Sequence, residues 1–493
     1  MTIVSLNTLN KGMTGDPRDR SGSFRVMKHF NNELAHKLTP YYDMKLDAVA
    51  GFETSLDVFQ ITRIVKAANG KYYGFGQISA ADTHAQVYIK TTATDPTAVW
   101  TTATSGSDAG FGGARNDLFF LAYHNYLYGG NATGIWKYGD ITGSPSFTYN
   151  ENTATFATAQ GLVHSKDDIM YVPCLVSGVP YIAKNNNGSW NNTALQLPTT
   201  ATNVSIFEDG NYLGIAGNLG NGDSFIYLWD RDSSLTTLAD TINWGSGTLV
   251  HAESLGGVIV GISVLNSLIP RVLIQYWNGS EVVPFANFQC SLATVGTWKQ
   301  KFDNALLFLA ELTIDGQAHK GLWKLAKTPA GLSFMLDRLP RNDTALNAGS
   351  LMGFYRTGDY VFISYLNPAD SKYTIWRTND QASYTATSIV ETTINQGMPE
   401  SDRTLNKQLE AVSISFESLP SGAQGVLQYR VDGGAWIPIL TEATDGLITS
   451  EQVMDASGTE FTSGREYEFH AESLDGAEIT EIKYKYKVLP TLI

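Results

Sequence analysis

The 493-residue chain reads as an all-β protein: a seven-bladed β-propeller with an extended N-terminal arm and a C-terminal β-sandwich. Three observations predict this. First, an apolar strand ending in a bulky residue and then a polar one returns seven times. Its marker positions are Ile89, Trp136, Ala183, Trp229, Trp277, Trp323 and Trp376, spaced by 47, 47, 46, 48, 46 and 53 residues. A period of that size filled with short strands marks a propeller array, the alternative being a two-sheet or β-helical repeat. Second, another apolar strand precedes each marker, opened by pairs such as Asn69-Gly70, Asp209-Gly210 and Gly256-Gly257. These residues accept the positive φ that two-residue hairpin turns require. Third, the composition suits aromatic-filled sheets and tight turns: 46 Gly, 24 Tyr, 22 Phe, 10 Trp and only 17% charged residues. No stretch sustains a 3.6-residue period, so few helices are expected.

The arm, residues 1–50, holds no repeat. Its first 40 residues carry six Lys/Arg against three Asp/Glu. That surplus of three positive charges, in a chain of net charge −14, leaves 17 net negative charges on the remainder. A basic segment broken by Gly and Pro, ahead of an acidic body, is suited to lie along an acidic surface. The surface belongs either to a neighbouring subunit or to the chain's own propeller, where the arm would act as a plug or closing strand. Arg18, Arg20, Arg25 and Lys28 are the candidate partner-binding cations, with Phe24, Met27 and Phe30 as apolar anchors. The opening Met1-Thr2-Ile3-Val4-Ser5-Leu6 lacks the basic start of a secretory leader, so none is expected.

The propeller is placed at residues 51–400. Its first repeat reads as strands 61–66, 71–77, 86–91 and 98–103. The seventh ends near 387–395 with a fourth strand of its own, so the ring needs none from the N-terminus. Residues 404–493 form the sandwich. Leu409–Phe416 alternates strictly, residues 425–431 and 436–440 flank Asp432-Gly433-Gly434 as a hairpin, and 465–471 and 478–487 flank Asp475-Gly476 as another. The longest apolar run, 256–265, is far shorter than the roughly 20 residues of a spanning helix, so no membrane segment is expected.

Motifs that carry chemistry are sparse. The eight histidines are dispersed, and no Cys-x-x-Cys, nucleophile elbow, P-loop or dinucleotide fingerprint occurs. Asp230-Arg231-Asp232 and Asn221-Gly222-Asp223 fall short of a calcium loop and read as solvated turns. No metal, cofactor or catalytic residue is therefore assigned, and the two cysteines, Cys174 and Cys290, are expected to be free and buried. The segments 93–100 and 378–384, which contain Thr94-Asp95-Pro96-Thr97 and Asn379-Asp380-Gln381-Ala382, are similar to the Asp-box of sialidase propellers. In that family the box is a structural turn, so the likeness implies no catalysis, and the chain is not expected to be an enzyme.

The layout of arm, propeller and terminal sandwich resembles virion proteins of tailed bacteriophages, in particular the tail hub or nozzle (tail accessory) family. The resemblance is carried by Lys11-Gly12-Met13 and by the last strands, Gly464-Arg465-Glu466-Tyr467-Glu468-Phe469-His470-Ala471-Glu472-Ser473 and Gly476-Ala477-Glu478-Ile479-Thr480-Glu481-Ile482-Lys483-Tyr484. It implies a structural virion component of the phage tail, assembled in the host cytoplasm as a homo-oligomeric ring, in that family a hexamer. Such a ring would contact portal, adaptor and other tail proteins and help retain and deliver the genome. DNA would pass through without specific binding, which the acidic body suits. The competing reading is a carbohydrate-binding or glycan-processing propeller, with sandwich aromatics such as Trp436 or Tyr429 stacking on sugars or else packed in the core.

Overall fold

The computed structural model describes residues 2–9, 11–14, 16, 18–19, 23–28, 30–31, 36–41, 44–46, 60–77, 85–93, 100–105, 120–131, 134–155, 160–234, 238, 240–268, 270–314, 317–329, 331–338, 350–358, 360–367, 372–378 and 387–490. The fold is all-β, and no helix among the described residues is long and apolar enough to cross a membrane. Arg20 and most of both Asp-box-like segments lie outside the described residues.

Among the described residues, seven four-stranded antiparallel units follow one another. The first comprises Gln60–Lys66, Tyr72–Gln77, Ala85–Lys90 and Thr101–Ser105, close to the bounds read from sequence. The second runs from Phe120–Tyr123 to Ser146–Asn152, the third from Leu162–His164 to Ser189–Gln196, and the fourth from Thr202–Asp209 to Asp240–Ser246. Every marker residue falls on the third strand of its unit. The turns before the second strands have the expected geometry, with φ of 80° at Gly70 and 59° at Gly210. Trp136, Trp229 and Trp323 are buried at the unit interfaces, which is why a bulky residue recurs there. The seventh unit packs on the first through Phe362 and Ile375 against Ile64, Tyr72, Tyr88 and Trp100.

Two departures from the regular repeat matter. The 21-residue strand Val282–Phe302 serves two units: residues 282–289 pair with Arg271–Trp277, and residues from Cys290 onward pair with Ala305–Ile314. It thus joins the fifth and sixth units edge to edge. The seventh unit, Ser350–Thr357, Tyr360–Asn367 and Lys372–Thr378, takes its fourth strand from the arm, Met44–Leu46, with Trp376 opposite Leu46 and Thr378 opposite Met44. This corrects the expectation that residues 387–395 supply that strand. Ser388–Glu391 instead pairs with Val26–Lys28 on one side and Tyr467–Leu474 on the other. A four-residue alternating strand specifies that it pairs, and only the available edge specifies with what.

The sandwich is two sheets. One is ordered Thr2–Leu6, Ile479–Val488, Lys407–Phe416, Thr449–Gln452; the other is Val26–Lys28, Ser388–Glu391, Tyr467–Leu474, Gln424–Val431, Ile437–Glu442. The hairpin around Asp432-Gly433 forms as expected. The one expected around Asp475-Gly476 does not: its flanking strands lie in opposite sheets, with Phe469 against Tyr484 at 4.7 Å across the core. Asp475 and Gly476 have positive φ, but the turn arches between layers. Both layouts need such a turn, so local sequence does not separate them.

The arm is woven through the molecule. Thr2–Leu6 edges one sandwich sheet, and Val26–Lys28 edges the other while touching Leu336 of the sixth unit. Phe24, Met27 and Phe30 are fully buried in the chain's own core. Each such burial stabilises by about 1.5–3 kcal/mol. The arm's cations meet the acidic sandwich: Arg18 to Glu466 at 2.8 Å, Arg25 to Glu468 at 3.0 Å and Lys37 to Glu478 at 2.9 Å. The acidic surface the arm lies on is therefore its own chain's, and the anchors named for a partner are used internally.

Candidate functional site

Where arm, fifth and sixth units, and sandwich meet, the chain forms a cavity of about 930 Å³ that opens to solvent. Its sandwich wall is one face of the second sheet. Along Tyr467–Leu474 the side chains alternate: Tyr467, Phe469 and Ala471 enter the core, while Glu468, His470 and Glu472 share the opposite face. Cross-strand register extends that row, because His470 is opposite Glu391 and Glu468 is opposite Arg430. On the arm, Met27 points into the core and Val26 and Lys28 line the cavity. The opposite wall comes from Pro270, Phe288–Cys290, Thr313, Ile314, Gln317 and His319.

The polar groups are tightly organised. Arg430 grips Glu468 with two nitrogens, Nε to Oε1 at 2.9 Å and Nη2 to Oε2 at 2.6 Å, and Arg25 donates to the same carboxylate. Burial pushes the Glu468 carboxyl up to about 7, against the lowering effect of Arg25. His470 is clamped between two carboxylates, Nδ1 to Glu391 at 2.9 Å and Nε2 to Glu472 at 2.8 Å. Burial alone would lower its pKa, but the two carboxylates outweigh that and hold it up to about 9, so the ring is a cation at neutral pH. The imidazolium in turn holds Glu472 below the usual range.

Trp436 stands on this platform at the cavity wall. The Arg430 guanidinium carbon lies 4.5 Å from its ring centroid, and the His470 ring lies 5.3 Å away at 52°. Held by two cations, the indole presents a fixed apolar plate beside hydrogen-bonding groups. An apolar plate flanked by donors and a carboxylate matches the two faces of a sugar ring, C–H on one side and hydroxyls at the edge.

The two aromatics singled out for sugar stacking thus part company. Trp436 lines the cavity, whereas Tyr429 is fully buried, edge-on to Phe461 at 5.4 Å with its hydroxyl accepting from the Thr462 amide. Of the arm residues, Arg25 and Lys28 line the cavity, Phe24, Met27 and Phe30 are core, and Arg18 is an exposed ion pair outside it. Sequence reasoning missed Glu391, Arg430 and His470. For His470 the signal was present in residues 465–473, where charged or polar residues alternate with aromatic and apolar ones on a strand expected to have one buried face.

Sequence comparison matches the chain to no protein-family profile and to no curated protein. Among solved structures it is similar to Trypanosoma rangeli sialidase, at 10% identity and a TM-score of 0.35, covering 99% of this chain and 97% of that one. A glycoside hydrolase matches at 10% identity and a TM-score of 0.28 (87% and 98% covered). The SapL1 lectin in complex with alpha methyl fucoside matches at 11% identity and a TM-score of 0.32 (54% and 94% covered). These neighbours are a sialidase, a glycoside hydrolase and a lectin, not phage-tail proteins, so the expected phage-tail function and the expectation that the chain is not an enzyme are not carried further. At this level of similarity they bring no site residue onto this chain; what remains is the glycan-directed alternative, to be judged on the chain's own cavity.

Proposed function

We propose that this chain is a carbohydrate-binding or glycan-processing propeller, its seven units closed into a seven-bladed ring, with the glycan held where the ring meets the sandwich. The observation that carries the reading is Trp436, braced by Arg430 and His470 at the wall of a cavity of about 930 Å³. A cavity of several hundred cubic ångströms holds a few sugar rings, and an aromatic plate with convergent polar groups is what orients them. Glu391, fixed by His470, is the carboxylate lining the cavity and the group a sugar hydroxyl or glycosidic oxygen would meet.

The test is a glycan array read with the full-length protein and with Trp436→Ala, followed by an assay of each bound glycan for newly released reducing ends. Loss of the aromatic plate should weaken every bound glycan by roughly two- to tenfold, in line with about 0.5–1.5 kcal/mol for a stacking contact. Array binding that Trp436→Ala leaves intact would remove the site, and no binding or release across the array would remove the function.

A further inference from the structure

We infer that the glycan this cavity accepts is acidic, carrying a carboxylate or sulfate near Trp436, and that Lys28 is the residue that selects it. The inference rests on the glycan reading above and deepens it. Arg25, Lys28, Arg430 and His470 line the cavity with Glu391, and Glu468 and Glu472 stand on the same sheet face, paired with the two arginines and with His470, so the excess positive charge rests on Lys28. This cationic wall stands in a chain of net charge −14. Long-range attraction to the whole protein therefore does not account for an acidic ligand, and the selection has to be local.

The cations differ in what they have left to give. His470 spends both ring nitrogens on Glu391 and Glu472. Arg25 and Arg430 share Glu468, although Arg430 uses only Nε and Nη2 there. The Lys28 side chain has no hydrogen bond or ion pair among the described residues, and feels Glu391 and Glu472 only as nearby charges. Its partial burial disfavours the ammonium form. A desolvated ammonium facing a cavity is destabilised until an anion reaches it, so an acidic sugar gains a charge-assisted contact that a neutral one lacks. The strand places it there: Val26–Lys28 is held on both edges, with Lys28 opposite Leu336 on one side and Ile389 on the other. Its position is set by backbone ladders and does not depend on the ligand.

The experiment compares pairs of glycans that differ only in charge: polygalacturonate with its methyl ester, and dextran sulfate with dextran. Each is titrated against full-length wild type, Lys28→Gln, Lys28→Arg and Trp436→Ala, all checked for native melting. Wild type should bind the acidic member of a pair about tenfold tighter or more, as a charge-assisted hydrogen bond implies. Lys28→Gln should erase that preference, Lys28→Arg should keep it, and Trp436→Ala should weaken acidic and neutral members alike. The two pairs tell a carboxylate from a sulfate as the group recognised. Equal binding of neutral and acidic members by wild type, or a preference that survives in Lys28→Gln, overturns this inference and leaves the glycan reading standing. Binding to none of the four polymers, nor to any acidic glycan on the array, overturns the inference outright, and an array silent throughout removes the glycan reading with it.

Discussion

Neutralising His470 should cost this protein a pH-dependent share of its stability, and the clamp around the ring sets the size. The imidazole donates to Glu391 and Glu472 at 2.9 and 2.8 Å and sits on a buried face between strands 388–391 and 467–474. Its pKa rises from an ordinary 6.5 to about 9. A folded state that holds the proton more tightly than the unfolded chain is stabilised fully below the unfolded pKa and loses that stabilisation as pH climbs through the folded one. The window is therefore about pH 6.5 to 9. Each tenfold gain in proton affinity corresponds to about 1.4 kcal/mol, so the clamp is worth on the order of 3 kcal/mol at pH 6 and little at pH 10. Denaturant unfolding followed by tryptophan fluorescence, at pH 6 and pH 10, on wild type and His470→Gln would measure it. Wild type should lose about 3 kcal/mol more than the variant between the two pH values. Glu468, raised to about 7, adds a fall in stability between pH 4.5 and 7 that both proteins share, so it cancels in the difference. Parallel pH profiles in the two proteins would refute the clamp as an ionic device.

Two further substitutions test how the arm and the sandwich are fastened. Gly12 adopts φ of 76°, and a Cβ there would lie 2.5 Å from the Ser333 hydroxyl and 2.6 Å from the Phe334 amide nitrogen. Gly12→Ala should destabilise by at least about 1–2 kcal/mol and make residues 1–40 cleavable in limited proteolysis, since backbone cannot retreat as a side chain can. Lys407 donates its ammonium to the carbonyls of Asp402, Arg403, Leu405 and Arg465 at 2.6–3.3 Å. Lys407→Met should lower the melting temperature by several degrees, because it strands buried carbonyls at about 1–3 kcal/mol each where water does not reach them. A variant that melts with wild type would show that the loop reorganises around the loss.

The repeat was legible because its determinants are local. Alternating apolar residues make strands, Gly and Asn accept positive φ in the hairpins, and Trp136, Trp229 and Trp323 recur because each unit buries the same position against its neighbour. The strong charge contrast between arm and body was legible for the same reason, and the ion pairs to Glu466, Glu468 and Glu478 follow from it. Whether that acidic surface would be a neighbour's or the chain's own was open in the sequence, because charge names the kind of surface sought and not its owner.

By itself, then, the sequence determined the all-β class, the strand period, the turn positions and the two-faced strands of the terminal domain. The tertiary structure alone decided which edge Met44–Leu46 completes, which sheet takes Ser388–Glu391, and that the chain arches between layers at Asp475-Gly476. It alone brought Lys28, Glu391, Arg430, Trp436 and His470 to one cavity, across more than 400 residues of chain. The physical reason is shared. A strand's alternation encodes which side chains face inward, but its backbone donors and acceptors are the same on every edge, so partner choice is settled only when all the edges compete in the folded molecule.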